Sequence, residues 1–293
     1  MKKDWLNWVI FITLSFIWGS SFILMKVGLE RLTAFQVAAL RIASAGLVLL
    51  PVAVKSICRI PADKLWFVFL SGFIGNLIPA FLFCIAEEVI DSSLSGTLNS
   101  LTPIFVIIAG SLFFNRKANW NQIIGVAIAF TGTSLLFLGK GHLQGERDIG
   151  YVFLVVLATI LYGINVNMVH KYLKTISPLQ IAAVALVLNA VPALGVLIFS
   201  DYFSLPFGDA TILLSTAAAA LLGTLGTAAA TIIFYILIKR AGAFFSSMVT
   251  YGIPFVAILW GFIAGENIGV GQIGCLLIIL IGVYWANKTS NKY

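Results

Sequence analysis

The chain has 293 residues, of which 60% are hydrophobic and only 10% are charged. Soluble domains carry about 25% charged residues, so this composition favours a membrane protein and leaves no stretch for a separate soluble domain. The net charge of +7 does not indicate nucleic-acid binding, and Cys58, Cys84 and Cys275 lack the spacing of a disulfide framework or a metal site.

Ten apolar segments follow one another along the chain, joined by short connections. A helix needs about 20 residues to cross about 30 Å of hydrocarbon, and a lipid-embedded backbone must satisfy its own hydrogen bonds, which favours helices. The first segment is too long for the core of a signal peptide and is interpreted as a span. The predicted spans are 7–27, 34–54, 65–86, 94–114, 120–138, 150–170, 178–199, 212–237, 244–264 and 270–287.

The second half of the chain repeats the first. Gln36 matches Gln180, and Pro103 matches Pro254 further along. Each half holds five apolar segments, and because five is odd the second half must be inverted in the membrane relative to the first. The predicted fold class is therefore all-α, a polytopic membrane protein with ten transmembrane helices in two inverted five-helix repeats. The predicted repeats are 1–142 and 143–293.

The basic residues predict the orientation, because loops on the cytoplasmic side are enriched in Lys and Arg. Thirteen of the 18 Lys and Arg fall on the side that carries both termini. Four fall on the other side (Lys26, Arg31, Lys140 and Arg147), and Arg41 lies inside a span. We therefore expect a multi-pass protein of the cell membrane, a bacterial cytoplasmic membrane, with both termini in the cytoplasm.

Arg41 is the clearest ionisable residue within a predicted span. It lies about seven residues, roughly 10 Å, from the start of the second span. A charge in hydrocarbon is costly, so such a residue is a functional candidate by default. Three interpretations stay open: Arg41 faces a cavity, it pairs with Glu87 or Glu88, or it reaches the outer headgroups or anchors helices.

Polar residues recur at helical spacing in several spans, for example Asn99 with Thr102 and Thr231 with Tyr235. Such groups either line a cavity or hold helices together, and an unpaired asparagine amide is costly to bury. Matched prolines inside two spans predict kinks at the binding region. The predicted substrate-binding residues are Trp18, Asn76, Asn99, Pro103, Tyr162, Asn165, Thr227, Tyr251, Pro254 and Trp260.

Short motifs recur in the same order in both halves. They are Trp18-Gly19-Ser20-Ser21-Phe22, Ala38-Ala39-Leu40-Arg41, Leu101-Thr102-Pro103-Ile104-Phe105, Gln122-Ile123-Ile124-Gly125, Tyr251-Gly252-Ile253-Pro254-Phe255, Gly265-Glu266 and Gln272-Ile273-Gly274. As an ordered set they resemble EamA-type members of the drug/metabolite transporter superfamily. The resemblance implies a secondary carrier of small metabolites, often an exporter of amino acids or related compounds. The chain departs from the family pattern at Asn115, where a glutamate is typical, and it has Ala185 at the position equivalent to Arg41.

The sequence predicts a transporter rather than an enzyme, because no clustered nucleophile, base or metal ligand is present. No cofactor is expected. The expected partners are a small-molecule substrate and the lipid bilayer, without nucleic acid, and the chain is expected to act as a monomer or as a dimer. No carboxylate lies in the middle of a span, which favours facilitated movement of a neutral or zwitterionic solute over proton coupling. A carrier of lipid-linked or drug-like amphipathic compounds and a passive channel remain alternatives, and a membrane enzyme is the least favoured.

Overall fold

The computed structural model describes residues 4–138, 148–263 and 269–287. Every regular element in these residues is helical, as expected for a backbone that must satisfy its hydrogen bonds within a bilayer. The α-helices are α1 (Asp4–Leu29), α2 (Ala34–Ile57), α3 (Ala62–Gly72), α4 (Ile78–Glu87), α5 (Ser92–Asn99), α6 (Thr102–Phe114), α7 (Trp120–Leu138), α8 (Asp148–Tyr172), α9 (Pro178–Phe199), α10 (Ala210–Leu221), α11 (Ala230–Ser247), α12 (Ile253–Ile263) and α13 (Val270–Asn287).

Eight helical segments of the described residues are long and apolar enough to cross a membrane. Seven of them each correspond to one predicted span. The remaining segment, Ala210–Trp260, has 51 residues and covers two predicted spans. The fifth predicted span contains a shorter apolar stretch, Trp120–Leu136. The structure therefore establishes a helical, multi-pass architecture, whereas the count of ten stays a prediction.

The helical stretch from Ala210 to Trp260 changes direction at Gly242. This glycine has φ 85° and ψ 169°, which is not helical. A side chain strongly disfavours such a backbone conformation, whereas glycine adopts it at little cost. Gly242 lies between the predicted spans 212–237 and 244–264, where the sequence places a loop.

Two capping boxes begin α2 and α9 in the same way. The Thr33 hydroxyl accepts a hydrogen bond from the Gln36 backbone N–H, and the Gln36 side chain accepts one from the Thr33 N–H. Ser177 and Gln180 form the same pair at the start of α9. The hydrogen bonds satisfy donors that a helix N-terminus leaves unpaired. The matched glutamines of the repeated sequence thus perform the same local task in both halves.

The two helices that begin with these capping boxes, α2 and α9, pack against each other. Gly46 permits the approach, since a Cβ at this position would lie 2.5 Å from the Cβ of Ala190. Helices α7 and α13 form a second close pair. A Cβ at Gly282 would lie 2.4 Å from the backbone nitrogen of Ala129 and 2.6 Å from the Gly125 carbonyl oxygen. Small residues thus allow two helix backbones to come close. This close packing stabilises the pair, because in lipid the burial of apolar side chains contributes little to helix association.

Two π-helical turns interrupt the third and eighth predicted spans at equivalent positions. Phe73–Leu77 lies between α3 and α4, and Leu222–Ala229 lies between α10 and α11. A π-helical turn contains extra residues relative to an α-helix and is frequent at functional sites. These turns carry Asn76 and Thr227, two of the predicted binding residues.

The matched prolines lie at interruptions of otherwise helical stretches, where the sequence predicts kinks. The fourth span is broken between α5 and α6, and Pro103 occupies the first turn of α6. A 3₁₀-helical turn, Met248–Gly252, precedes α12, and Pro254 is the second residue of that helix. Proline has no N–H to donate to the carbonyl four residues before it, which for Pro103 is the Asn99 carbonyl. The prolines therefore mark two helix breaks at equivalent positions.

Replacing Gly282 by alanine should destabilise the α7–α13 pair. The added methyl group would overlap backbone atoms of α7, which cannot move without shifting the whole helix, so we expect a loss of about 1–3 kcal/mol in the free energy of unfolding. Thermal unfolding of the purified protein in detergent measures the effect. The control is Gly274→Ala on the same helix, since nothing lies within 4 Å of a Cβ at Gly274. Equal unfolding temperatures for the two variants would contradict the packing argument.

Candidate functional site

A cavity of about 90 Å³ lies between helices from both halves of the chain. One water requires about 10–15 Å³ by this kind of measure, so the cavity has room for a small solute. Both π-helical turns contribute to its wall, and so do residues beside both helix breaks. The lining residues are Trp18, Ser21, Phe22, Met25, Arg41, Gly75, Asn76, Phe83, Asn99, Thr102, Tyr162, Asn165, Val166, Gly226, Thr231, Phe234, Tyr235, Ser246, Ser247 and Thr250.

Asparagine amides and hydroxyl groups form a polar region in this cavity. The Thr231 hydroxyl donates to Asn76 Oδ1 at 3.0 Å. Asn165 packs against Gly75, where a Cβ would lie within 2.0 Å of Asn165 Nδ2. Asn165 Oδ1 is buried and has no hydrogen-bond partner. An unpaired buried carbonyl oxygen costs free energy.

Asn99 lies at the end of α5, beside the break in the fourth span. It is buried and lines the cavity together with Thr102. The Thr102 hydroxyl donates to the Asn99 carbonyl oxygen at 2.7 Å, across the junction between α5 and α6. This hydrogen bond satisfies a carbonyl that the broken helix leaves without its usual partner.

Arg41 is the charged residue among those that line the cavity. Its Nε donates to the Thr227 hydroxyl at 2.7 Å. In the part of the chain that the structure describes, no carboxylate lies within 4.0 Å of the guanidinium group. Of the three interpretations of Arg41, the structure agrees with the one in which Arg41 faces a cavity.

Glu87 and Glu88 have other partners. Glu88 Oε1 accepts from the backbone N–H of Ala34 at 2.9 Å, at the start of α2. Glu87 Oε2 accepts from the Ser92 hydroxyl at 3.2 Å. Among the described residues neither glutamate therefore forms an ion pair with Arg41 within 4.0 Å, although Glu87 is within electrostatic range of the guanidinium group. Glu266 lies outside the described residues.

Aromatic rings form the apolar part of the wall. Trp18 and Phe234 meet edge to face with centroids 5.0 Å apart, and Trp18 Nε1 donates to the Gly226 carbonyl oxygen at 3.1 Å. The rings of Phe83 and Tyr162 lie stacked at 6.1 Å. Pairs of this geometry hold rings in fixed positions. The cavity therefore combines one cation, several amides and an aromatic wall.

The structure brings six of the predicted residues together in this cavity. They are Trp18, Arg41, Asn76, Asn99, Tyr162 and Asn165. The other five predicted residues lie elsewhere, and their role in substrate binding stays a prediction. They are Pro103, Thr227, Tyr251, Pro254 and Trp260.

Three of these five form hydrogen bonds that hold helices together. Tyr251 is fully buried and its hydroxyl donates to the Val126 carbonyl oxygen of α7 at 3.2 Å. Trp260 Nε1 donates to the Ser20 hydroxyl of α1 at 2.9 Å. Thr227 is also buried, and it touches the cavity wall only through its hydrogen bond to Arg41.

Several other residues line the cavity that the prediction did not include. Thr231 and Tyr235 were noted at helical spacing in the sequence but were not named as binding residues. Met25, Phe22 and Phe83 line the cavity as well. Nothing in the sequence distinguishes these apolar side chains from the many that face lipid, because both environments are apolar.

Comparison with known proteins identifies the class of protein that this fold and cavity belong to. The model of the EamA-like transporter family matches residues 6–138 and again residues 149–288. The chain therefore belongs to the EamA-like transporter family and is a membrane transporter.

Two relatives and one solved structure illustrate the similarity. An uncharacterized transporter of Archaeoglobus fulgidus is 24% identical over 96% of this chain and 98% of the relative. A probable terminal-alkyne amino-acid exporter of Streptantibioticus cattleyicolor is 24% identical over 90% of this chain and 86% of the relative. A protein crystal structure has the same fold, with a TM-score of 0.74 and 14% identity over 98% of this chain and 99% of that one.

Replacing Asn99 by alanine should lower transport by about tenfold at unchanged protein level, because one hydrogen bond to a solute is lost. The matched control is Thr133→Ala. Thr133 is also buried, but its hydroxyl donates to the Ala129 carbonyl within α7, outside the cavity. Exchange of labelled metabolites across proteoliposomes measures both variants. Similar losses in both would favour a purely structural role for Asn99.

Proposed function

We propose that the chain is a secondary transporter that moves small metabolites, such as amino acids, across the cytoplasmic membrane by alternating access. The observation that carries this proposal is a polar, aromatic-walled cavity bounded by matched helix interruptions from both halves. Midplane sites formed by discontinuous helices at the interface of two repeats are typical of secondary transporters.

The proposed architecture is ten spans in two inverted repeats, residues 1–142 and 143–293. Two separate matches to one family model support the repeat. The 51 residues of Ala210–Trp260 are more than twice the length that one span needs, and Gly242 divides them at a non-helical residue. The paired capping boxes and paired π-helical turns also support two equivalent halves.

Alternating access requires helices that can change direction on either side of the site. The breaks before Pro103 and Pro254 supply one such point in each half, and the two π-helical turns supply another. Each interruption leaves backbone groups that can exchange partners as the helix bends. We propose that bending at these four points opens the cavity to one side at a time.

The solute is proposed to be an amino acid or a related compound, and the natural direction is export when the cytoplasmic concentration is higher. The name of the Streptantibioticus relative, a probable exporter of an amino acid, supports this class. No carboxylate lines the cavity within the described residues, which supports gradient-driven movement of a zwitterionic or neutral solute without proton coupling.

Counterflow in proteoliposomes tests this function with a panel of labelled amino acids and related metabolites. A carrier accelerates entry of label when the same unlabelled solute is inside, whereas a passive channel does not. We expect counterflow that an imposed pH gradient leaves unchanged. Concentrative uptake that depends on this gradient and is abolished by an ionophore would overturn the proposal of transport without proton coupling.

The proposed orientation places both termini and the 115–119 loop in the cytoplasm. Cysteines introduced at Lys117 and at Gly208, in a background in which the three native cysteines are replaced, test it on intact cells. An impermeant thiol reagent should label the Gly208 variant and spare the Lys117 variant until the cells are opened. The reverse pattern would show the opposite orientation.

A further inference from the structure

We propose that the transported solute binds as a carboxylate on the Arg41 guanidinium, with an apolar body against the aromatic wall. The aromatic wall is defined here as Trp18, Phe22, Phe83, Tyr162 and Phe234. This inference rests on the proposed transport function and adds the chemical class of the solute: a carboxylate is required, and an ammonium group is optional.

The position of Arg41 is fixed by the π-helical turn of the other half. Arg41 Nε donates to the Thr227 hydroxyl, and this hydroxyl donates in turn to the Leu222 carbonyl oxygen at 3.4 Å. A Cβ at Gly223 would lie 2.3 Å from the Arg41 carbonyl oxygen, so glycine there lets the two backbones approach. The π-helical turn thus contacts Arg41 at two points, the backbone carbonyl and the side-chain Nε.

The two terminal nitrogens of Arg41 remain available to a ligand. A guanidinium has five N–H donors, and the hydrogen bond to Thr227 uses only the one on Nε. The described residues provide no partner for the other four. Both terminal nitrogens present parallel N–H groups, an arrangement that binds the two oxygens of a carboxylate in a bidentate fashion.

An unpaired guanidinium is costly in an apolar helix bundle, because it loses hydration without gaining a counter-charge. Lys26, by comparison, is exposed near the end of α1 and can reach water. Arg41 is partly buried, lines the cavity and has no carboxylate within 4.0 Å among the described residues. A solute carboxylate would provide the missing counter-charge each time the cavity is loaded.

The aromatic wall lies close to this cation and is held rigidly. Tyr162 is within electrostatic range of Arg41 and stacks on Phe83, which in turn meets Phe22 at 6.3 Å. Trp18 and Phe234 form the second ring pair. Rings of this kind bury the apolar part of a solute, and their faces also tolerate a cation.

The charge of the lining residues should make the cavity prefer solutes with a carboxylate over solutes with only an amine. A solute carboxylate meets a full positive charge, whereas a solute ammonium meets no negative charge among the described lining residues. The amides of Asn76, Asn99 and Asn165 line the cavity and are neutral, so an amino acid fits as well as a simple carboxylate. An amine without a carboxylate would add a second cation near Arg41 and should be rejected.

Four probes on one phenyl scaffold test the inference: 3-phenylpropionate, phenylalanine, phenylalanine amide and 2-phenylethylamine. Binding to the purified protein in detergent is measured as a rise in unfolding temperature over a concentration series. We expect 3-phenylpropionate and phenylalanine to stabilise the protein, and the amide and the amine to leave it unchanged. Arg41→Gln should weaken carboxylate binding by about ten- to a hundredfold, because a charge-assisted hydrogen-bond pair is lost.

Two further variants keep the test informative. Arg41→Lys retains the charge but not the bidentate geometry, so it should bind the same two probes with an intermediate loss even if Arg41→Gln fails to fold. Lys26→Gln removes a cation outside the cavity and should bind as the unmodified protein does. Stabilisation by 2-phenylethylamine equal to that by 3-phenylpropionate would overturn the inference, and so would an unchanged affinity in Arg41→Lys and Arg41→Gln.

The counterflow assay separates this inference from the transport function. Counterflow of a solute without a carboxylate, by a protein that none of the four probes stabilises, would overturn the inference and leave the transport function standing. Carboxylate binding without counterflow of any panel member would overturn the transport function and retain the binding site.

Discussion

Each backbone N–H and C=O group inside a bilayer needs a hydrogen-bond partner within the protein, because lipid supplies none. This constraint explains why every regular element of the described residues is a helix. It also restricts where the α-helical pattern can be interrupted, because the freed backbone groups need other partners. The π-helical turns and the breaks beside Ser100 and Met248 all lie against the cavity, where a solute or water can pair with freed groups. Irregular backbone thus coincides with the region that is not filled by lipid or tight packing.

The two halves share a backbone arrangement but differ in charge. A Cβ at Gly72 would lie 2.6 Å from the Ala185 carbonyl oxygen, and a Cβ at Gly223 would lie 2.3 Å from the Arg41 carbonyl oxygen. These two contacts are equivalent in the repeat. The side chains are not, since Ala185 is fully buried and Arg41 reaches the cavity. Two equivalent backbone contacts therefore differ in charge, and among the described lining residues Arg41 is the cation.

Two closely packed helix pairs contribute to the scaffold around this site. Helices α7 and α13 meet through Gly125 and Gly282, and α2 and α9 meet through Gly46 and Ala190. Close backbone approach provides van der Waals contact where apolar burial cannot drive association in lipid.

The sequence by itself determined the helical, membrane-spanning class, the internal repeat and the polar residues available within the spans. The length and hydropathy of the apolar segments are enough to predict the membrane-spanning class. Matched residues such as Gln36 and Gln180 are enough to predict the repeat. The cost of burying polar groups pointed to Arg41, Asn76, Asn99 and Tyr251, and the structure places the first three at one cavity.

Only the tertiary structure decided which face of each helix meets the cavity. In a soluble protein the polar face of a helix meets water, so periodicity reveals orientation. In lipid both the outer face and the packed interior are apolar, and this signal is lost. Tyr251 therefore proved to hydrogen-bond to the scaffold at Val126, whereas Phe22 and Phe83 proved to line the cavity.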